Sequence, residues 1–253
     1  MKFIGIIPAR FASTRFPGKP LADIGGKPMI QRVYEQAQQA FPRCYAATDD
    51  ERIYAAVKSF GGSAVMTSAA HQSGTDRCAE AVLKIEAELS EKFDVAVNIQ
   101  GDEPFIAPAQ LEQLKGCFTD SSVQLATLVK KFGKDEDIFS PNSPKVTVDK
   151  NGYALYFSRA AIPYLRGKEL TQWQGNHLFY KHIGLYAYRT DVLQKICKLP
   201  QSPLELAESL EQLRWLENGY RIKVALTEFE TWAIDTPQDL ERVKSRILAK
   251  NSR

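Results

Sequence analysis

The first hundred residues alternate short β-branched runs with stretches whose apolar residues recur at three- and four-residue spacing, and that rhythm leaves few folds open. Phe3 to Pro8 reads as a strand. Pro28 to Ala40 reads as an amphipathic helix with proline in its first turn and Met29, Ile30, Val33, Tyr34 and Ala37 on one face. Cys44 to Ala47 is a second strand, and "TDDE" at Thr48 to Glu51 has the form of a capping box opening a helix that Gly61 and Gly62 end. Ser63 to Thr67, Thr75 to Leu89 and Asp94 to Ile99 repeat the pattern as strand, helix and strand. Strands separated by helices need crossover connections, which predicts an α/β class with a mainly parallel, Rossmann-like sheet flanked by helices.

After Gly133 the rhythm changes. "KVTVD" and "YALYFSR" read as strands around a turn at Lys150 to Gly152, and "HIGLYAYR" alternates apolar and polar residues. A smaller antiparallel subdomain at about 134–190 is expected, inserted into a single domain spanning 1–253, either over one end of the sheet or as a dimer surface. "SPLE" at Ser202 to Glu205 should open a helix that Gly219 closes, and "TPQD" at Thr236 to Asp239 should open the last one. No repeat, low-complexity tract or linker interrupts the chain.

With 33 basic against 30 acidic residues the net charge is +3, too small to point to nucleic acid or a membrane surface. Cys44, Cys78, Cys117 and Cys197 are too scattered for a zinc site and are expected to be reduced thiols. Phe3 to Ile7 is too short for a signal-peptide core, and no apolar stretch reaches the ~18 residues of a membrane span. A cytoplasmic protein acting on small molecules is expected.

The segment "IIPARFASTRFPGKPL" joins the first strand to a loop carrying Arg10, Arg15 and Lys19 with no acid before Asp23. In open α/β sheets ligands bind beyond the carboxyl ends of strands, so this loop lies where a substrate would be held. A triphosphate or pyrophosphate is an anion dense enough to need such charge, with Ser13, Thr14 and Gly18 leaving backbone N–H groups accessible. A solvated basic loop is the alternative. Other phosphate loops fit worse: no G-x-G-x-x-G occurs, and Gly26-Lys27 is followed by Pro28 rather than Ser or Thr.

Phosphoryl chemistry calls for Mg²⁺, which takes one or two carboxylates plus water and phosphate oxygens. Asp102 in "NIQGDEP" follows the fourth strand, with Gly101 permitting close approach of a ligand, and Asp235 in "WAIDTPQDL" is expected to end an apolar strand and precede a capped helix. Asp102 as a turn residue and Asp235 as a helix-start residue are the alternatives. Glu103 is a weaker candidate because Pro104 holds it extended.

Taken together, "IIPARFASTRFPGKPL", "ATDDERI", "HQSGTDR", "NIQGDEP", "YALYFSRAAIP", "HIGLYAYR", "SPLELAESLEQLRWLENG" and "IDTPQDLERV" resemble the 3-deoxy-manno-octulosonate (Kdo) cytidylyltransferases, or CMP-Kdo synthetases, over nearly the whole chain. The resemblance implies a nucleotidyltransferase sheet and the reaction CTP + Kdo → CMP-Kdo + pyrophosphate, which activates Kdo for lipopolysaccharide biosynthesis. It implies Mg²⁺ on Asp102 and Asp235, with Arg10, Arg15 and Lys19 joining them as the catalytic set. It implies CTP on Arg10, Ser13, Arg15, Lys19, Gln72, Ser73, Gly74, Asp76, Arg77 and Gln100. It implies Kdo on Gln100, Arg159, His182, Tyr186, Glu211 and Gln212, and a homodimer. An arginine for the acid and Glu, Gln, Tyr and His for the hydroxyls is the donor set a polyhydroxylated carboxylate requires. His182 as a core histidine is the alternative, and Glu211 and Gln212 flank a core face made by Leu210, Leu213 and Leu216. Trp232 and Ala233 stand where many relatives carry glycine, and the indole is expected to pack in the core, reshaping of the pocket edge being the alternative.

Three rival readings follow. One is the same transfer onto sialic acid or 8-amino-Kdo. Another is a glycosyltransferase consuming a nucleotide sugar, for which Asp49-Asp50 and Asp135-Glu136-Asp137 offer acids, the latter a literal D-x-D here expected to be a solvated loop. The third is a nucleotide-sensing module that binds CTP without turnover.

Overall fold

The computed structural model describes residues 1–12, 16–230 and 233–251, and the chain divides into two compact units. The first comprises Met1–Leu111 and Thr231–Arg253, the second Glu112–Glu230.

The first unit contains β1 (Phe3–Ala9), α1 (Met29–Ala40), β2 (Cys44–Thr48), α2 (Glu51–Ser59), β3 (Ala64–Met66), α3 (Gly74–Leu89) and β4 (Val95–Asn98). These strands pair parallel throughout, in the order β3-β2-β1-β4, as the alternating pattern required. Parallel strands covered on both faces bury every residue, and β2 and β4 do so along their whole length. Ile4, Ile6, Ile7, Val95 and Val97 meet Val33 and Ala37 of α1 and Val82 and Ile85 of α3 in a core without measurable exposure beyond 1 %. Gly5 is glycine because a Cβ there would stand 3.0 Å from the Phe41 ring.

The capping of α2 differs from expectation. Thr48 ends β2, and Asp50 is the N-cap, its carboxylate accepting the Arg52 N–H at 2.9 Å. The longer strand moves the helix start by two residues. At α3 the cap is Ser73, whose hydroxyl accepts the Asp76 N–H.

Next comes α4 (Pro108–Cys117), followed in the second unit by β5 (Leu125–Lys131), β6 (Lys145–Val148), β7 (Ala154–Ser158), the short α5 (Trp173–Asn176) and β8 (Tyr180–Arg189). The unit continues with α6 (Thr190–Ile196), α7 (Pro203–Glu208), α8 (Gln212–Glu217) and β9 (Ile222–Leu226). Antiparallel pairing governs β6 with β7, β6 with β8 and β5 with β8, while β5 pairs parallel with β9. The antiparallel strands expected within 134–190 are therefore present, and the α/β class with parallel and antiparallel parts holds.

The single helix expected from Ser202 to Gly219 is two. Ser209 adopts φ +51°, which ends α7 after its capping box at Ser202 and Glu205, and the chain restarts as α8. A left-handed residue cannot continue a right-handed helix. The last helix, α9 (Pro237–Asn251), opens on the expected box, with Thr236 and Asp239 each accepting the other's backbone N–H. No described helix is long and apolar enough to cross a membrane.

Candidate functional site

In the first unit three loops leave the sheet from strand ends on the same side, because parallel strands all point one way. β1 runs into Arg10, β4 into Gln100, Gly101 and Asp102, and the turn after β3 into Ser73 and Gly74 at the start of α3. Together with Lys19, Arg77 and Asp235 these residues line a cavity of about 230 Å³.

Gly18, at φ +70° with its N–H on the Phe11 carbonyl, turns the chain into a 3₁₀ turn at Lys19–Leu21 that anchors Lys19 on buried Pro20. Gly101 lines the cavity and has a packing task as well. A Cβ on it would stand 2.8 Å from the Pro8 carbonyl oxygen, so the glycine lets the loop after β4 press against the end of β1. No strand among the described residues ends at Asp235, contrary to expectation; it is delivered instead by a backbone bond, the Ile234 N–H donating to the Asp102 carbonyl at 2.9 Å while the Ile234 side chain is locked among Ile24, Met29, Leu240 and Val243.

The consequence is a three-residue electrostatic knot. Lys19 Nζ lies 2.7 Å from Asp102 Oδ2 and 3.3 Å from Asp235 Oδ1. Two carboxylates from distant parts of the chain thus converge on one cationic point, with only 15 % of the Lys19 side chain exposed. Two hard oxygen donors sharing one point fit Mg²⁺, which leaves its other positions to water and phosphate oxygens. Among the described residues no cluster of three or more His, Cys, Asp or Glu competes for a metal. Glu103 turns inward instead: it is 6 % exposed, and burial, helped by the charge of Asp102, pushes its carboxyl up to about 8.

The other predicted residues of this unit divide. Arg10 and Gln100 line the cavity, as do Ser73 and Gly74. Gln72 is exposed, its amide on the Ala70 carbonyl, and Asp76 is held by Ser73. Arg77 also reaches the cavity wall, but its guanidinium is committed to Thr67 Oγ1 at 2.6 Å and Asp49 Oδ2 at 3.1 Å, so it shapes the wall. Ser13, Arg15 and Trp232 lie outside the described residues.

The second unit holds the remaining predicted residues. Arg159 donates to the carbonyls of Glu208, Pro141 and Ser209, and the Glu208 carboxylate in turn accepts Ser158 Oγ and the Arg159 N–H. His182 packs edge-on against Phe157 and tilted against Tyr186, and this enclosure pushes its pKa down to about 3. Its Nε2 is 3.0 Å from Thr127 Oγ1, which itself reaches the Leu185 carbonyl at 2.8 Å. A hydroxyl has one proton to give; with that proton on Leu185, a neutral His182 donates from Nε2. Tyr186 ionises well above the usual phenol range because it is buried and faces the charge of Glu211. Gln212 is 4 % exposed, and its Nε2 has no hydrogen-bond partner among the described residues. A buried amide left unpaired costs about 1–3 kcal/mol, which a bound hydroxyl would recover. The 135–137 D-x-D stays in an exposed loop, with Glu136 held by Lys181.

Sequence reasoning missed the bracing roles of Asp49 and Thr67, which hold Arg77 at the cavity wall, and of His71 and Glu80, which tie the loop before α3 to that helix. Nothing in their spacing marks them, since their partners come from other elements.

The profile of the cytidylyltransferase family matches residues 4–223. A 3-deoxy-manno-octulosonate cytidylyltransferase of Parabacteroides distasonis is 65 % identical over 246 residues, covering 96 % of each chain. Its counterpart in Phocaeicola vulgatus is 63 % identical over 248 residues, covering 97 % of each. A solved structure described as CMP:2-keto-3-deoxy-manno-octonic acid synthetase complexed with CTP superposes with a TM-score of 0.89 at 43 % identity, covering 99 % of this chain and all of that one. A parallel sheet whose strand ends gather a lysine and two aspartates, in a sequence this close to such enzymes, settles the kinship: the chain belongs to the cytidylyltransferase family and, within it, to the 3-deoxy-manno-octulosonate cytidylyltransferases.

Proposed function

We propose that the protein transfers a cytidylyl group from CTP to the anomeric C2 hydroxyl of Kdo, releasing pyrophosphate and forming CMP-Kdo. The observation that carries this reading is the meeting of Asp102 and Asp235 at Lys19, 83 and 216 residues along the chain from it. Phosphoryl transfer asks for little covalent chemistry from a protein and much positioning and charge stabilisation, and this arrangement supplies both.

In our reading Arg10, Arg15 and Lys19 hold the triphosphate and stabilise the leaving pyrophosphate, as charge-assisted donors do best in a partly desolvated cavity. Asp102 and Asp235 hold Mg²⁺, which when bound neutralises phosphate charge. Ser13, Gln72, Ser73, Gly74, Asp76 and Gln100 are assigned to the nucleotide, and Arg77 to the shape of its site. In the second unit Arg159, His182, Tyr186, Glu211 and Gln212 are assigned to the sugar acid. His182 stays neutral, since its lowered pKa removes it from proton exchange near neutrality, and with its one ring proton given from Nε2 to Thr127 it offers the sugar acid an acceptor at Nδ1. A homodimeric, cytoplasmic enzyme feeding lipopolysaccharide synthesis is the biological setting we infer from the family.

The test is pyrophosphate release with CTP, Mg²⁺ and each of Kdo, 8-amino-Kdo and sialic acid. Turnover with Kdo at least tenfold above the other acids supports the reading; preference for sialic acid, or transfer from a CDP-sugar without pyrophosphate, sinks it.

A further inference from the structure

Glu80 sits two turns into α3, and its carboxylate gathers partners that the helix alone does not explain. It accepts the Ser68 backbone N–H at 2.9 Å and contacts the Nε2 of His71, both on the loop between β3 and α3. A third partner, Lys84 Nζ at 2.7 Å, is an ordinary neighbour one turn along the same helix.

The loop is knitted further within itself. Ser68 Oγ accepts the Ala70 N–H at 3.1 Å, and the Gln72 amide donates to the Ala70 carbonyl at 3.3 Å. Its last residue is Ser73, which with Gly74 lines the cavity. A loop that must be ordered at each binding event charges that entropy to affinity, whereas a loop fastened beforehand does not. The fastening depends on an acceptor-only group: an ionised carboxylate offers lone pairs to all three donors, while an amide of the same shape would turn an NH₂ against some of them. The Glu80 side chain is 23 % exposed, so these bonds form in a partly desolvated setting where charge-assisted hydrogen bonds are strong.

We propose that Glu80 is a positioning residue which, through Ser68 and His71, holds residues 68–73 in the conformation that receives CTP, and so sets nucleotide affinity from outside the cavity. This rests on the reading of the cavity as the CTP site.

The test uses the full chain, with CTP binding followed by calorimetry and steady-state kinetics followed by pyrophosphate release. Glu80→Gln is expected to raise the Kd and KM for CTP about tenfold, the scale of ordering one or two interface groups. The kcat at saturating CTP and the KM for the sugar acid should stay within about twofold, while the melting midpoint falls, because the ionised carboxylate also contributes stability. His71→Gln, a milder change on the loop, should raise the CTP KM in the same direction, and Lys84→Ala, which gives up its bonds to Glu80 and the Met66 carbonyl but leaves Ser68 and His71 on Glu80, should leave the CTP KM unchanged. An unchanged CTP KM in Glu80→Gln with a wild type that binds CTP overturns the proposal alone. A lower kcat and midpoint at constant KM also overturns it, since that marks a merely structural role. A wild type that does not bind CTP overturns the reading of the cavity, and this proposal with it.

Discussion

The two units handle charge in opposite ways. In the first, the groups gathered at the strand ends keep contact with solvent: Lys19, Asp102 and Asp235 have side chains 15, 25 and 37 % exposed, and Arg10 is open. In the second, two cations are sunk and engaged. Lys145 is wholly buried with Nζ on the Ser140 and Arg159 carbonyls, and Arg214 is clasped by Glu205 at 2.7 and 2.5 Å. Desolvation is the reason for the difference. A charge that must exchange partners with a ligand cannot be buried first without a large penalty, whereas one that fixes shape can be buried once its hydrogen bonds are complete.

The contrast is broken most directly at Glu205. Glu205→Ala strands Arg214 in the interior and should cost about 3–5 kcal/mol in a denaturant titration. A loss below ~1 kcal/mol would place this pair with the solvated charges of the first unit. Asp102→Asn should do the reverse, leaving the melting midpoint near wild type while turnover falls about 10²-fold or more. Near-normal pyrophosphate release from that variant would remove Asp102 from the mechanism.

Acid separates the units by pH window. The unfolded chain protonates His182 near 6.5 and the folded chain only at about 3, so the second unit should lose stability as pH falls through that interval. His182→Gln should flatten this part of the profile. Burial alone would raise the Glu80 carboxyl, but its bonds from Lys84, Ser68 and His71 bring it down to about 2 from 4.5. Its contribution is therefore complete above about 4.5 and lost toward pH 2. Urea midpoints measured across pH check both. The smallest effect is expected at Ser73→Ala, which removes the α3 cap for about 1 kcal/mol of stability.

Much of the fold was legible in the chain. β1 to β4 and the helices between them follow from apolar spacing, because a buried parallel strand and an amphipathic helix each impose a local period. Ser202 and Thr236 declared helix starts because caps are local chemistry. The break at Ser209 was not legible, since serine carries no general signal for a left-handed turn. Among candidate site residues, Asp102 was identifiable by its position after β4, and Asp235 only by the cap that follows it, since no strand precedes it among the described residues; Glu80 and His71 were not, their meeting depending on how the loop after β3 folds back over α3.

By itself the sequence determined the α/β alternation, the cationic segment around Lys19 and the two aspartates beyond apolar runs, because each is written in residues a few positions apart. Tertiary structure alone decided that Asp102 and Asp235 share one lysine, since the Ile234 N–H must find the Asp102 carbonyl before those carboxylates can meet. It also decided that Arg77 braces rather than reaches out, because Asp49 and Thr67 arrive from other strand ends to take its donors. Local periodicity encodes elements; hydrogen-bond partners distant in sequence become neighbours only once those elements pack.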